Sequence, residues 1–425
     1  MHHPRGSRDA GERRVAAILN TPPARILIGL VAGLAIGVWL TGTAHGEVAV
    51  RVAQPVGKLW LDALTMTVVP LVFALLVTGV MEAAREASGG KVAARAIGWF
   101  AILLIASTLL AAVTTTLVLR GVPLPPGAAA LGEARGAGPV PLGDAHWLDN
   151  IIPTNPIRAA ADTAMVPLVI FALLFGLGAS GIEAEPRAAL ERVFRGIGQT
   201  MLRIVTWVLW IAPVGVFALA VGVGSRMGGA AAGVLAHYVF VVIAACLFAT
   251  LLCYAAAALF GRISPLTFAR AALPSQVIAV STQSSLASLP AMISAAAPLR
   301  VMPATAGIVL PLAVSLFRAA SAAANVAVAI YLAQVHAVPL GVTTLVGGAI
   351  VAAAVSVAAV GLPAQVSFFA IIAPVCIAMG VPVVLLPVLL AIETLPDIFR
   401  TLGNVTADLA VARIVGRVDG AADRA

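Results

Sequence analysis

The densest concentration of chemistry in this 425-residue chain lies near its C-terminus, where Glu393, Asp397, Arg400, Thr401, Asn404 and Asp408 fall at offsets of 0, 4, 7, 8, 11 and 15. At about 100° per residue these six side chains share roughly a 100° arc of one helix face. Ile398, Leu402, Val405 and Leu409 leave the remaining face apolar. A guanidinium is a planar fork that matches a carboxylate, and a neighbouring carboxylate can hold an ammonium group. Asp397 and Arg400, one turn apart, therefore read as a site for a zwitterion carrying an extra acidic group. The alternative reading has the polar end of this helix in water, where Arg413 and Arg417 are expected. More than a turn of mostly apolar residues follows Asp397 and Arg400, which favours the binding site.

The elements that must position this stripe belong to a membrane. Of all residues, 61% are hydrophobic and 10% charged, with a mean hydropathy of +1.05, whereas soluble domains carry roughly 25% charged residues. Apolar runs such as Ile26 to Leu40, Ala101 to Leu119 and Ala231 to Leu259 approach or exceed the ~20 residues that span the hydrocarbon core. Their unbroken Ala, Leu and Val runs lack the alternation of a barrel strand, so the spans are helices. An ionisable residue at the bilayer centre costs roughly 2.5–3.5 kcal/mol even on the lenient scale, so three carboxylates and a guanidinium on one stripe imply function.

Composition also excludes function classes. The net charge of +8 does not imply a nucleic-acid partner, because Arg5, Arg8, Arg13 and Arg14 precede the first span and Arg413 and Arg417 end the last. That distribution places both termini in the cytoplasm. The first apolar run follows a polar N-terminus without a close small-residue cleavage site, and reads as a retained span. Cys246, Cys253 and Cys376 lie in apolar segments as small buried hydrophobes. The histidines outside the N-terminal pair are isolated, so neither a disulfide framework nor a metal cluster is expected. Phosphate-cradling Gly-x-x-x-x-Gly-Lys, His-Glu-x-x-His and Gly-x-Ser-x-Gly motifs are absent, so the chain is read as no enzyme and no ATP-driven pump.

Hydropathy predicts helices over roughly 24–42, 55–82, 93–120, 164–183, 199–224 and 231–260. A Gly- and Pro-rich loop from Gly121 to Asn155, with Asp144, His146 and Asp149, separates the third from the fourth and is expected outside the cell. From Ala271 to Ile392 the only Asp, Glu, Lys or Arg residues are Arg300 and Arg318, yet two hydrophobic segments are interrupted. One breaks at Ser281-Thr-Gln-Ser-Ser-Leu-Ala-Ser-Leu-Pro290 and the other at Ala358-Ala-Val-Gly-Leu-Pro-Ala-Gln365. Non-helical backbone at membrane depth is tolerated only where protein buries it or a cavity needs it. Paired broken segments point to a transporter's binding site, although kinked helices or surface loops would share the pattern.

Four motifs then resemble a known family in order and spacing. Ile151-Ile-Pro-Thr-Asn-Pro156, Ile211-Ala-Pro-Val-Gly-Val-Phe-Ala-Leu219, the Ser-rich stretch ending at Leu289-Pro290, and Asp397-Ile-Phe-Arg-Thr-Leu-Gly-Asn-Val-Thr-Ala-Asp408 are similar to those of the glutamate transporters, or dicarboxylate/amino acid:cation symporters. The resemblance runs from Arg25 to Val415. It implies an all-α membrane fold of eight transmembrane helices and two re-entrant hairpins with inverted repeats, assembled as a homotrimer in the plasma (inner) membrane. Transport would proceed by an elevator movement. A cytoplasmic tail over 1–23 would precede six helices over 24–260. Hairpin one (roughly 264–295), the seventh helix, hairpin two (roughly 340–378) and the eighth helix would form the transport core over 261–416, ahead of a tail over 417–425.

By position, the resemblance implies that Arg400 holds the substrate's side-chain carboxylate and Asp397 its amino group. Thr401, Asn404 and Ser321 would complete the contact, with Gln283, Ser284, Ser285, Leu362 and Val366 closing over it. Asp397 leans the substrate toward an amino acid rather than a C4-dicarboxylate, and Arg400 toward an acidic one. The family's Asn-Met-Asp-Gly-Thr in the seventh helix, which helps hold sodium, is here Phe317-Arg-Ala-Ala-Ser321. Asn404 and Asp408, also sodium-site residues in the family, remain. Hard cations need oxygen ligands, which the side chains of Phe317 and Ala319 lack. Losing one carboxylate and gaining Arg318 adds two positive charges, about what two sodium ions would supply. Arg318 therefore reads as a tethered cation with Asp408 or Asp397 as its partner. Alternatively Arg318 points outward, or a sodium site of hairpin carbonyls survives. No cofactor is expected, and sodium or a proton stays open as coupling ion. Pro363-Ala-Gln-Val-Ser367 replaces the family's Gly-rich tip of hairpin two. A non-transporting sensor or an anion channel on the same fold is the competing function.

Overall fold

The computed structural model describes residues 21–128, 152–358 and 364–422. Of these residues 83% are helical, and none lies in a strand. Among the described residues, four helices are long and apolar enough to cross a membrane: His45–Ser88, Lys91–Gly121, Ala230–Leu259 and Pro303–Val335. Large apolar side chains such as Val31, Trp39, Val52, Leu59, Ile102 and Leu251 lie exposed along these and neighbouring helices. A water-facing surface does not tolerate so continuous an apolar coat, whereas lipid requires it.

The first half of the chain builds a helical frame. Helix α1 (Pro22–Trp39) runs into α2 (Ala44–Thr65) and α3 (Val68–Ser88), followed by α4 (Lys91–Gly121). Where hydropathy places one helix over 55–82, the structure carries nearly continuous helix from Ala44 to Ser88. The Thr43 side chain starts it by accepting from the Gly46 amide at 3.0 Å, and Pro55 lies inside rather than at the start. After the short α5 (Pro156–Ala161), α6 spans Met165–Ser180. The residues expected as one helix over 199–224 form two, α7 (Ala184–Trp210) and α8 (Ala212–Met227), bent by 61°. Pro213 cannot donate to the preceding turn, so the ladder breaks there. Trp60 of α2 fills the bend: its indole N–H donates to Val208 O at 2.8 Å. A Cβ on Gly215 would fall 2.2 Å from its ring.

Glycines at intervals of four seat α1 against α8. A Cβ on Gly29, Gly33 or Gly37 would lie 2.5, 2.5 or 2.4 Å from the carbonyl oxygens of Pro213, Phe217 and Val221. Such stripes let helix backbones approach closely in lipid, where no hydrophobic force drives association. Helix α9 (Ala230–Leu259) leads from this frame into the second half.

There the structure shows two helical hairpins and a broken helix between them. Helices α10 (Pro265–Thr282) and α11 (Ser285–Ala295) form the first hairpin. Gln283 takes the left-handed turn at φ 52° and Ser284 accepts from the Ala287 amide, capping α11. Helices α12 (Pro303–Leu316) and α13 (Ala319–Val335) are one span interrupted at Phe317 and Arg318. Helices α14 (Val342–Ala358) and α15 (Ala364–Ala378) form the second hairpin, whose connecting residues lie outside the described ones. The stretch from Val383 onward is not one helix: a short α16 (Leu386–Leu390) precedes α17 (Thr394–Ala422). Glu393 stands just before α17, and its carbonyl accepts from the Asp397 amide at 2.9 Å, so the stripe keeps its helical register.

Helix α17 packs along α9, α10, α12 and α13, and nearly every residue of α13 is buried. Arg413 and Arg417, expected in water, are partly exposed and also hold the chain where α9 and α11 end. Arg413 donates to Gly261 O at 2.9 Å and to Leu299 O at 3.1 Å, and Arg417 to Phe260 O at 2.8 Å. Carbonyls at helix C-termini lack internal donors, and arginine supplies them.

Candidate functional site

Arg400 lies on the face of α17 turned toward α9 and α13 and is only 6% exposed. Its Nη1 donates to Asn325 Oδ1 of α13 at 2.8 Å. Its Nε lies 2.7 Å from Glu393 Oε1. That contact is off the N–H axis, an ion pair rather than an aligned hydrogen bond. The other Glu393 oxygen, Oε2, accepts from the Tyr238 hydroxyl of α9 at 2.9 Å. Arg400 Nη2 is buried with no hydrogen-bond partner among the described residues. A guanidinium removed from water needs both a counter-charge and satisfied donors. Glu393 supplies the first, Asn325 part of the second, and Nη2 remains open.

Asp397, half-buried one turn before Arg400, lies within electrostatic range of both Arg400 and Arg318. It is Glu393, not Asp397, that touches Arg400. Thr401 is buried beside Arg400.

Asn404 has a different set of partners from the expected substrate. Its Oδ1 accepts from the Ala320 and Ser321 amides at 3.0 and 3.2 Å, and its Nδ2 donates to Ser321 Oγ at 2.8 Å. Helix α13 begins after Arg318 without a side-chain cap of its own. Its first amides, stranded in the protein interior, need acceptors, and Asn404 reaches across from α17 to provide one. Gly403 permits the approach, since a Cβ there would lie 2.5 Å from Ala320 Cβ and 2.7 Å from Thr250 Oγ1. Ser107 of α4 braces the same break by donating to Ala319 O at 3.1 Å.

Arg318 occupies the break itself, with φ −141° and ψ 63°. Asp408 is fully buried and neither of its oxygens accepts a hydrogen bond within the described residues. Arg318 is the cation whose charge reaches Asp408. The direct pairing of Arg318 with Asp408 or Asp397 is not formed, since no ion pair within 4.0 Å joins them. The turn out of helix at Phe317 and Arg318 leaves the guanidinium within electrostatic range of Asp408 without contact. Phe317 is packed on Phe100, ring centroids 4.7 Å apart.

The structure thus gathers Asp397, Arg400, Asn404, Ser321, Arg318 and Asp408 around the broken α13. Gln283, Ser284 and Ser285 sit half-buried at the turn of the first hairpin. Leu362 and the side chain of Val366 lie outside the described residues. Sequence reading missed Tyr238 and Asn325 and gave Glu393 no partner. The signal was there: an asparagine among the alanines of α13, and one of the chain's three tyrosines inside an apolar helix. Polar groups at such positions are costly unless paired. Sequence reading also missed Gln276, whose Nε2 ties the first hairpin to α17 through Thr406 Oγ1 at 2.8 Å and to α9 through Tyr254 Oη at 3.1 Å.

Comparison with known proteins agrees with this architecture. The family model described as the sodium:dicarboxylate symporter family matches residues 23–418. The proton/glutamate-aspartate symporter of Escherichia coli (strain K12) is 25% identical over 419 residues, covering 94% of this chain and 93% of its own length. The proton/sodium-glutamate symport protein of Bacillus caldotenax is 25% identical over 401 residues, covering 93% and 94%. C4-dicarboxylate transport protein 1 of Pseudomonas aeruginosa (strain UCBPP-PA14) is 26% identical over 408 residues, covering 93% and 89%. With a family model matched over nearly its whole length and a helical membrane architecture to go with it, the chain belongs to the sodium:dicarboxylate symporter family, whose members are transporters rather than enzymes.

Proposed function

We propose that this protein is a secondary active transporter that carries an acidic amino acid or a C4-dicarboxylate across the plasma membrane. In this reading it works as an elevator within a homotrimer and keeps both termini in the cytoplasm. The observation that carries the substrate class is Arg400: a guanidinium buried among helices, with Nη2 unpartnered, one turn from the half-buried acid Asp397. A carboxylate entering beside Nη2 would gain a charge-assisted hydrogen bond that water no longer supplies. Asp397 then faces an ammonium group, which favours aspartate or glutamate over a plain dicarboxylate. The relatives are named for glutamate, aspartate and C4-dicarboxylates, each with one carboxylate more than the corresponding neutral amino acid or monoacid.

Coupling in this reading does not use the family's sodium. The residues at the break offer a poor cation cage: Phe317 and Ala319 carry no side-chain oxygen, and Asn404 spends its oxygen on the α13 amides. Asp408 keeps both oxygens free, but Arg318 already sets a positive charge on it. Arg318 then serves as a tethered cation, balancing Asp408 where the family motif would place metal ions. The test is counterflow of labelled aspartate, glutamate and succinate in proteoliposomes holding the purified protein, in sodium and in choline buffers. Exchange of an acidic substrate at equal rates in both supports the reading. Strict sodium dependence removes the tethered cation, and binding without exchange replaces the transporter by a sensor.

A further inference from the structure

Counted with every group ionised, the buried site holds more negative charge than positive before any substrate enters. Glu393, Asp397 and Asp408 face two guanidiniums, Arg400 and Arg318, so one negative charge is in excess. An acidic amino acid adds one more and a dicarboxylate two. Excess charge of one sign away from water is costly, so loading calls for a positive charge to arrive with the substrate.

Of the three acids, Glu393 is the one in contact with Arg400, at 2.7 Å. It therefore competes with the substrate carboxylate for the same guanidinium. Its second oxygen is bonded to a group able to serve both protonation states. The Tyr238 hydroxyl donates to Glu393 Oε2 at 2.9 Å, and by rotating its O–H it can accept from the same oxygen once that oxygen carries a proton. The remaining Oε1 would then present a neutral carbonyl to Arg400, leaving the guanidinium charge for the substrate. Asp397 and Asp408 have no comparable hydroxyl partner among the described residues. The groups facing Glu393 are Tyr238 of α9, with the Cys246 thiol farther along that helix, and Asp397 and Arg400 of α17. Helix α13 contributes uncharged Asn325 through Arg400, and α4, α10, α11 and α12, also packed on α17, bring it no charged group.

We infer that Glu393 carries the coupled proton: ionised, it neutralises Arg400 in the empty carrier, and protonated on Oε2 it yields Arg400 to the substrate carboxylate. The step is a simple transfer. A proton from the outer solution bonds to the carboxylate as substrate loads, and it leaves to the inner solution as substrate departs and the ion pair with Arg400 re-forms. The inference rests on the transport reading above and specifies its coupling ion.

The test uses the full chain in proteoliposomes in choline buffer, with a pH-sensitive dye inside and labelled aspartate or succinate outside. Wild type should admit about one proton per substrate, and Glu393→Gln should bring that ratio near zero at whatever rate it still moves substrate. Tyr238→Phe removes a charge-assisted bond to the ionised form and only a weaker neutral one to the protonated form, so it should shift the pH of half-maximal uptake upward by about one unit, the protonated form persisting to higher pH. A wild type that exchanges label but moves no protons overturns the inference and leaves the transport reading standing. A Glu393→Gln protein with an unchanged proton ratio, or a Tyr238→Phe profile that does not move, overturns it as well. A wild type that exchanges neither substrate overturns the transport reading itself.

Discussion

Asn404 donates to the hydroxyl of Ser321 at 2.8 Å, from one helix to the first turn of another. The same carboxamide accepts from the Ala320 and Ser321 amides, so the broken α13 begins where α17 allows it to begin. The position of Arg318, one residue outside that helix, follows from this cap.

Asn404→Ala should therefore act first on stability. Two main-chain amides and a hydroxyl lose their partner in the interior, and each unpaired group costs about 1–3 kcal/mol. Thermal unfolding of the purified protein should show a midpoint several degrees lower. An unchanged midpoint would mean that the cap contributes nothing.

Gly403→Ala should be destabilising by about 1–3 kcal/mol through overpacking, because the new methyl would meet Ala320 Cβ and Thr250 Oγ1. Adding Ala320→Gly opens the tighter of the two contacts and should recover part of the loss in the same assay. No recovery in the double variant would contradict the packing argument.

The charges at 318 and 408 should be coupled although the side chains do not touch. Arg318→Met leaves Asp408 buried without a countercharge and should cost less than the about 3–5 kcal/mol of breaking a contacting buried pair, whereas Arg318→Met with Asp408→Asn removes both charges together. The double variant should be more stable than the Arg318→Met single, measured by unfolding midpoint. Additive losses would show that Arg318 serves a partner other than Asp408.

Much of this was written plainly in the chain. The turn of the first hairpin falls at Gln283 and Ser284 because a Ser-rich break in an apolar run both stops one helix and caps the next. The inward stripe from Asp397 to Asp408 was legible because its period is that of a helix and its charges are too costly for lipid. The bend at Ile211 was not, since the first half of α7 carries Arg187, Glu191, Arg192 and Arg195, and a hydropathy reading starts the helix too late. Nor was the choice of Glu393 over Asp397 as the partner of Arg400. Both acids lie on the same helix face, and what separates them is the hydroxyl of Tyr238, 155 residues away. Helical periodicity orders residues along one element and cannot report which neighbouring element comes to meet them.

Arg400→Lys should lose substrate by about tenfold or more in affinity, since an ammonium cannot reach Glu393, Asn325 and a ligand carboxylate with the geometry of a planar fork. The most direct test of the account is calorimetric titration of aspartate and succinate into purified wild type and Arg400→Lys in sodium-free choline buffer. The account predicts binding of at least one of these acids to wild type without sodium and its loss in the variant. Equal binding by the two proteins, or none by wild type until sodium is added, would contradict it.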